Sequence, residues 1–197
     1  MHRVLAGGAL AVFIAAMAAI ALSSIDSNGG GATTTARTAT APTTRPATTT
    51  RPAPAPAKPA RIRLSAVGPY DPPPGDGTEN DDEVGNAVDG DPETFWSTEH
   101  YTHGFFKPGV GIVLDAGRRR PVDRVVVRTD QPGSRAEIQL ADRPTGPYRV
   151  ASANRALQGT TNFPLKRSTG RYVLVWLTAL PSTTGEGRIT EVQAYGR

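Results

Sequence analysis

Apolar residues fall into three regimes along the chain. Val4 to Leu22 is an uninterrupted uncharged run preceded only by His2 and Arg3, and at ~1.5 Å per residue a run of that length just spans a ~30 Å hydrocarbon core. From Ser27 to Ala60 there is no large hydrophobe at all. From Arg61 onward Ile62, Leu64 and Ala66 alternate with polar neighbours, the period-two signature of a strand with one buried face. Short Val/Ile/Tyr-rich segments bounded by Gly, Pro, Asn and Asp follow at Val110–Asp115, Val122–Arg128, Ala136–Ala141, Tyr148–Ala151, Phe163–Leu165, Tyr172–Leu177 and Ile189–Tyr195. They predict about eight strands and no amphipathic helix of ten or more residues, hence an all-β two-sheet sandwich or jelly roll. Trp96 and Trp176 lie in strand-like segments and are expected in the core.

The three regimes define three segments. Residues 1–26 read as an N-terminal membrane anchor or signal segment. The apolar run exceeds the ~7–15 residues of a signal core, which favours an uncleaved single transmembrane helix. The alternative is secretion after cleavage at the small-residue site Ala19-Ile20-Ala21. Arg3 before the run, with no basic residue after it until Arg37, places the N-terminus inside and the remainder outside the cell membrane. Residues 27–60, rich in Thr, Ala and Pro, cannot bury enough apolar surface to offset the entropy of ordering and read as a disordered linker, extended at its Ala-Pro end. Residues 61–197 form the folded domain.

Charge changes this picture only by exclusion. The chain has a formal net charge of +4 and a pI near 9.8, which raises the question of nucleic acid. Residues 61–197 carry 17 Lys+Arg and 17 Asp+Glu, so the excess lies in the anchor and linker. A flexible tether forms no rigid basic groove, and nucleic acid is not expected as a partner. With no Cys, an exported domain has no disulfide framework and must rely on its core, helped by a metal if one binds.

Candidate chemistry is concentrated between Tyr70 and Lys107. Ten acidic residues and no basic one occur from Tyr70 to Glu99, and the prolines and glycines there exclude a regular helix through most of the stretch. Within it, Asn86–Ser97 reads N-A-V-D-G-D-P-E-T-F-W-S. Asp89, Asp91 and Thr94 are spaced so that a tight turn, permitted by Gly90 and closed by Pro92, points several oxygens at one centre. The acidic stretch reads otherwise as a solvated loop, or as one where Asp71, Asp76, Asp81 or Asp82 hold a second ion or a basic partner. Next, Tyr101, His103, Phe105 and Phe106 bring aromatic and imidazole groups into one loop.

Catalytic motifs are lacking. His100 and His103 are spaced H-x-x-H, without the i+4 spacing and following Glu of a zinc helix, and no G-x-S-x-G occurs. The expectation is a protein that is not an enzyme.

Six pieces in register carry a resemblance: the Asn86–Ser97 segment, G-I-V-L-D-A-G, V-D-R-V-V-V, T-G-P-Y, R-Y-V-L-V-W-L and R-I-T-E-V-Q-A-Y-G. Together they resemble the discoidin, or coagulation factor 5/8 type C, domain, which overlaps family 32 carbohydrate-binding modules. More narrowly, Y-D-P-P-P-G-D-G-T-E-N and F-K-P-G-V-G-I-V-L-D are similar to the extracytoplasmic domain of actinobacterial MviN-type flippase-pseudokinase fusions. The resemblance implies a galactose-binding-like jelly roll with one structural Ca²⁺. Its ligands would be the carbonyls of Asn86, Asp91 and Thr190, the carboxylates of Asp89 and Glu191, and the carbonyl and hydroxyl of Thr94. Failing that, Asp89 and Thr94 cap turns and Glu191 is a solvated strand residue. It also implies ligand binding by loops at one end of the sandwich, for which Tyr101, His103, Phe105 and Phe106 have the chemistry to stack on and hydrogen-bond a sugar. The function expected is a non-enzymatic extracytoplasmic binding module for cell-envelope carbohydrate. The alternative is a protein-interaction module of a membrane or cell-wall assembly.

Overall fold

The structure is a computed structural model, and it describes residues 58–197. The expected anchor and nearly all of the linker lie outside the described residues. Among the described residues no helix is long and apolar enough to cross a membrane.

The domain opens with β1 (Ala60–Ile62) and β2 (Ser65–Tyr70), followed by a 3-10 helix (Asp81–Val88) and β3 (Trp96–Ser97). Then come β4 (Val110–Arg128), β5 (Arg135–Ala141), β6 (Arg149–Val150), β7 (Arg155–Ala156), β8 (Thr160–Ala179), β9 (Arg188–Ile189) and β10 (Glu191–Gly196). The hydrogen-bonded order is β1-β10-β4-β8-β5-β6, with β2 also on β4, β7 also on β5, and a separate pair β3-β9.

Two pairs of expected strands are each continuous. β4 joins Val110–Asp115 to Val122–Arg128, and β8 joins Phe163–Leu165 to Tyr172–Leu177. The two long strands pair antiparallel along their length, with register shifts between Asp115 and Arg120 and between Val122 and Arg124. Bulges bend a strand and raise its twist, so β4 and β8 turn a corner together and contribute to both layers of the sandwich. The first layer is β2, the Val110–Asp115 half of β4, the Tyr172–Leu177 half of β8, and β5. The second is β1, β10, the remainder of β4 and the start of β8.

The buried core lies between the layers, where Ile112, Leu114, Val173 and Val175 meet Val125, Val127, Phe163 and Val192. The alternate residues of the same strands are also apolar: Val113, Tyr172, Leu174 and Trp176 form a second cluster with Ala141, covered by Tyr70 and Tyr148. Trp176 is therefore buried, but on the outer face of the first layer. A Cβ on Gly109 would come within 2.1 Å of its indole, so the close approach of backbone to ring requires glycine there.

The expected last strand, Ile189–Tyr195, is interrupted at Thr190. Ile189 pairs with Trp96 in the small sheet, whereas Glu191 pairs with Arg128 in the large one. The acidic stretch contains an element the sequence did not predict, the 3-10 helix, whose first turn holds Asp81, Asp82 and Glu83, a favourable placement of negative charge. Asn80 enters it in left-handed conformation, φ 48°, which Asn tolerates better than most residues. Asn80 and Glu83 tie the helix to β3. The Asn80 amide donates to the Ser97 and Thr98 carbonyls at 3.1 Å, and Glu83 accepts from the Ser97 N–H at 3.0 Å and its hydroxyl at 2.9 Å.

Candidate functional site

The Asn86–Ser97 hook closes on itself through its own polar groups. Gly90 turns the chain at φ +87°. The Asp89 carboxylate accepts from the Asp91 N–H at 2.8 Å, and the Thr94 hydroxyl lies 2.8 Å from Asp89 Oδ2 and 3.1 Å from the Asp91 carbonyl. The Asn86 amide donates to the Phe95 carbonyl at 2.8 Å, holding the two ends of the hook together.

Glu191, at the start of β10, is 4% exposed, and its Oε1 has no hydrogen-bond partner. Arg61 Nη2 approaches that oxygen only to 3.7 Å. Burial pushes the Glu191 carboxyl above the ordinary carboxylate range. The Arg61 guanidinium and the Gly90 amide oppose this, and repulsion from Asp89 adds to it. Asp89 and Gly90 of the hook thus act on Glu191, a residue a hundred positions later in the chain. Thr190 is buried beside it, its N–H bonded to the Arg128 carbonyl at 3.0 Å. Among the described residues no three His, Cys, Asp or Glu side chains gather at one point, so a cation here would rely on two carboxylates supplemented by hydroxyl and carbonyl oxygens.

The aromatic loop is zipped to the connection between β8 and β9. The Tyr101 N–H donates to the Gly185 carbonyl and the Thr98 N–H to the Gly187 carbonyl, each at 2.9 Å, while the Gly187 N–H donates to the Thr98 hydroxyl at 3.1 Å. Between the two segments lies a groove of about 460 Å³. His100, Thr102 and Phe105 line one side, and Thr178, Ser182 and Thr184 the other.

The four aromatic-loop residues singled out in the sequence divide. Phe106 is 70% exposed, and His103 is exposed with its ring nitrogen 3.0 Å from the Thr102 hydroxyl. Phe105 is half-buried against the core, its ring edge-on to Tyr101 at 5.0 Å. Tyr101 is buried, and its hydroxyl donates to Glu79. Its ring supports the loop from beneath and offers no open face for stacking.

Beneath Tyr101 lies a charged cluster. Lys107 Nζ is 3.1 Å from Glu79 Oε1 and 2.8 Å from Asp71 Oδ1; the Asp71 contact is an ion pair without hydrogen-bond alignment at that oxygen. The other Glu79 oxygen accepts from the Glu99 N–H at 2.6 Å, and the Glu79 carbonyl accepts from the Trp96 indole at 2.8 Å. Burial alone would lower the Lys107 pKa, but the Asp71 carboxylate, the Tyr101 hydroxyl and the Glu79 carboxylate beside it outweigh this and hold the ammonium charged far above neutrality. Burial, followed by the Glu79 hydrogen bond, raises the Tyr101 phenol well above its ordinary value.

Glu79 is not singled out by the sequence, and Asp71 is grouped there with Asp76, Asp81 and Asp82 as a candidate for an ion or a basic partner, because ten acids in one polar stretch look alike. The available signal was Lys107 itself, the first basic side chain after them. Asp71 is committed to Lys107, and the Asp76 carboxylate accepts from the Thr78 N–H and hydroxyl, at 3.0 and 2.9 Å.

No family model matches the chain. Its fold is similar to solved structures. A family 32 carbohydrate-binding module from a family 31 glycoside hydrolase of Clostridium perfringens superposes with a TM-score of 0.53 at 16% identity, covering 68% of this chain and 92% of that one. The C-terminal domain of a chitobiase from Bacteroides fragilis gives 0.51 at 16% identity, covering 71% and 98%. Truncated AlyQ, with a family 32 module and an alginate lyase domain, gives 0.52 at 19% identity, covering 70% and 34%. The described domain thus has the galactose-binding-like fold of family 32 carbohydrate-binding modules, some of which are attached to enzymes.

Proposed function

We propose that this chain is a non-enzymatic carbohydrate-binding module of the cell envelope, held at the membrane by Val4–Leu22 and carried outward on the 27–60 linker. The observation that carries the reading is the groove between the aromatic loop and Thr178–Gly185. It pairs the half-buried Phe105 ring with a row of hydroxyls, and sugars present both apolar C–H faces and hydroxyls that need partners. Phe106 and His103 stand at the neighbouring rim. The zipped backbone and the buried Lys107 cluster keep the groove's walls in place before a ligand arrives, which lowers the entropic cost of binding. The fold shared with carbohydrate-binding modules supports the ligand class. The two stretches resembling MviN-type fusion domains support an extracytoplasmic location.

A structural Ca²⁺ at the hook belongs to the same reading. The buried, unpartnered Oε1 of Glu191 is the observation that fits it, since a buried carboxylate without a partner is costly. Asp89, Asp91 and Thr94 supply the hard oxygens such an ion takes, and Asn86 and Thr190 lie in the same two segments. The ion's charge would offset the repulsion between Asp89 and Glu191 and clip the hook to β10.

The test is retention of the full chain by purified peptidoglycan or arabinogalactan. Phe106→Ala together with Thr102→Ala should remove retention without lowering the melting temperature, because both side chains are exposed. Recovery of one specific membrane protein with no glycan binding would replace this reading by the protein-interaction one.

A further inference from the structure

The second wall of the groove is held from behind by two amide side chains, Gln131 and Asn154, neither of which lines it. Thr178 of that wall is the extra residue of a bulge: Arg135 and Ala136 of β5 pair with Ala179 and Leu177 of β8, leaving Thr178 without a partner between them. A bulge re-aims a side chain, and this one borders the groove. Thr184 follows Pro181, which packs against Gly133 of the β4–β5 connection; a Cβ on that glycine would lie 3.1 Å from the proline ring.

Gln131 belongs to the same connection. Its N–H donates to the hydroxyl of the buried Thr129 at 3.0 Å, which fixes its backbone. Its side-chain amide donates to the Thr184 hydroxyl at 2.9 Å and to the Glu186 carbonyl at 2.7 Å. Behind Thr178, the Asn154 amide donates to the threonine hydroxyl at 2.7 Å and accepts from Arg135 Nε at 3.0 Å. A carbonyl only accepts and a guanidinium only donates, so these contacts fix which end of each amide is the nitrogen.

The two hydroxyls thereby acquire a polarity. A hydroxyl has one proton to give and two lone pairs to offer. One lone pair of Thr184 takes the Gln131 N–H, and its proton goes to the Glu186 carbonyl at 3.2 Å. One lone pair of Thr178 takes the Asn154 N–H, and its proton is directed at the Arg135 carbonyl, 3.4 Å away. Each threonine is left with a lone pair and no proton for a ligand. Lys107 also borders the groove, but its ammonium is held by Asp71 and Glu79. The neighbouring hollow, which shares His100 and Thr102 with the groove, is bordered by two more acceptors, Asp76 and Glu99.

We infer that Gln131 and Asn154 are positioning residues that set the specificity of the groove, by making Thr178 and Thr184 acceptors. The wall takes a neutral glycan that presents hydroxyl or amide N–H donors and rejects carboxylate, phosphate or O-alkyl groups. This rests on the proposed reading of the groove as a glycan site and names the hydrogen-bonding character of what enters it. Two acceptors brought together without a proton leave each other unpaired, and such mispairing is where a hydrogen-bonding site discriminates most strongly.

The test compares immobilised arabinogalactan with the same polymer after partial O-methylation, which removes donors and keeps the oxygens. The detergent-solubilised full chain should be retained by the native polymer and far less by the methylated one. Gln131→Met together with Asn154→Leu frees both threonine protons to turn toward the groove, and the preference for the native polymer should fall about tenfold. The bulk of the added methyl groups is common to both proteins and cancels in that ratio. In a Thr184→Val background, Gln131→Met should leave the preference unchanged, because it acts through that hydroxyl. Without any ligand, the side-chain amide NMR signals of Gln131 should shift on Thr184→Val and those of Asn154 on Thr178→Val. A double variant that melts earlier and binds both polymers more weakly by the same factor has lost only structure, and that result overturns the inference. Equal retention of the wild-type chain by the two polymers overturns it as well, as do amide signals that stay in place. A wild-type chain retained by neither arabinogalactan nor peptidoglycan overturns the glycan reading itself and the inference with it, whereas wild-type retention with an unchanged preference in the double variant overturns the inference alone.

Discussion

Lys107 and Asp71 meet at 2.8 Å, with side chains 5% and 0% exposed, at the base of the aromatic loop. The pair joins the segment after β2 to the segment before β4, and Glu79 and Tyr101 complete it. A buried ion pair adds little net stability over an apolar one of the same shape, but removing one partner leaves uncompensated charge behind.

Lys107→Met is therefore expected to destabilise the domain by about 3–5 kcal/mol, because Asp71 and Glu79 then remain buried without their cation. Denaturant unfolding followed by tryptophan fluorescence measures this, since Trp96 bonds to Glu79. The folded pKa of Lys107 is raised above its ordinary 10.5. Its contribution is thus fully present below that pH and is lost only as the pH rises through the higher folded value. Unfolding midpoints across the neutral range should not depend on it.

Asp115 and Arg171 form a two-pronged pair, Nε–Oδ1 at 2.9 Å and Nη2–Oδ2 at 2.8 Å. The Arg171 hydrogen bonds, aided by the Gly117 amide and opposed by burial, hold the Asp115 carboxyl below its ordinary 3.8. A lowered carboxylate pKa gives stability that is present above the unfolded value and is lost as pH falls through the folded one. Asp115→Asn should accordingly flatten the acid limb of a melting-temperature profile below about pH 4 and lower the midpoint modestly at neutral pH. A profile unchanged by the substitution would falsify the assignment.

Calcium should raise the melting temperature of the full chain, by an amount equivalent to about 2.7 kcal/mol at a hundredfold excess over its dissociation constant. Chelator should reverse the shift. Asp89→Asn should abolish the response, and Glu191→Gln should abolish it while removing the repulsion from Asp89. Melting curves with and without chelator decide the matter, and an unresponsive wild-type chain would rule out the ion.

Much of the fold was legible because strand periodicity and turn residues are local. Ile112, Leu114, Val125 and Phe163 lie in short apolar segments bounded by turn residues, which mark strands without any distant contact. The joining of separate segments into β4 and β8 was hidden, because Gly117 and the arginines after Asp115 read as a turn and only cross-strand pairing carries the ladder through them. The burial of Tyr101 was hidden for a related reason. An aromatic side chain in a polar loop fits a binding face and a buried prop equally well, and its contact with Glu79 spans twenty-two residues.

By itself the sequence determined a β-sandwich built around Ile, Val and Leu on alternating positions and a hook whose Asp89, Asp91 and Thr94 share one turn. It also placed an aromatic loop next to them. Tertiary structure alone decided which acids are buried, that Glu191 Oε1 is left without a hydrogen-bond partner, and that Thr178–Gly185 forms the second wall of the groove. The physical reason is range. Turn formation and strand period depend on neighbours a few residues away, whereas burial and charge compensation depend on residues that the folded chain brings together from far apart.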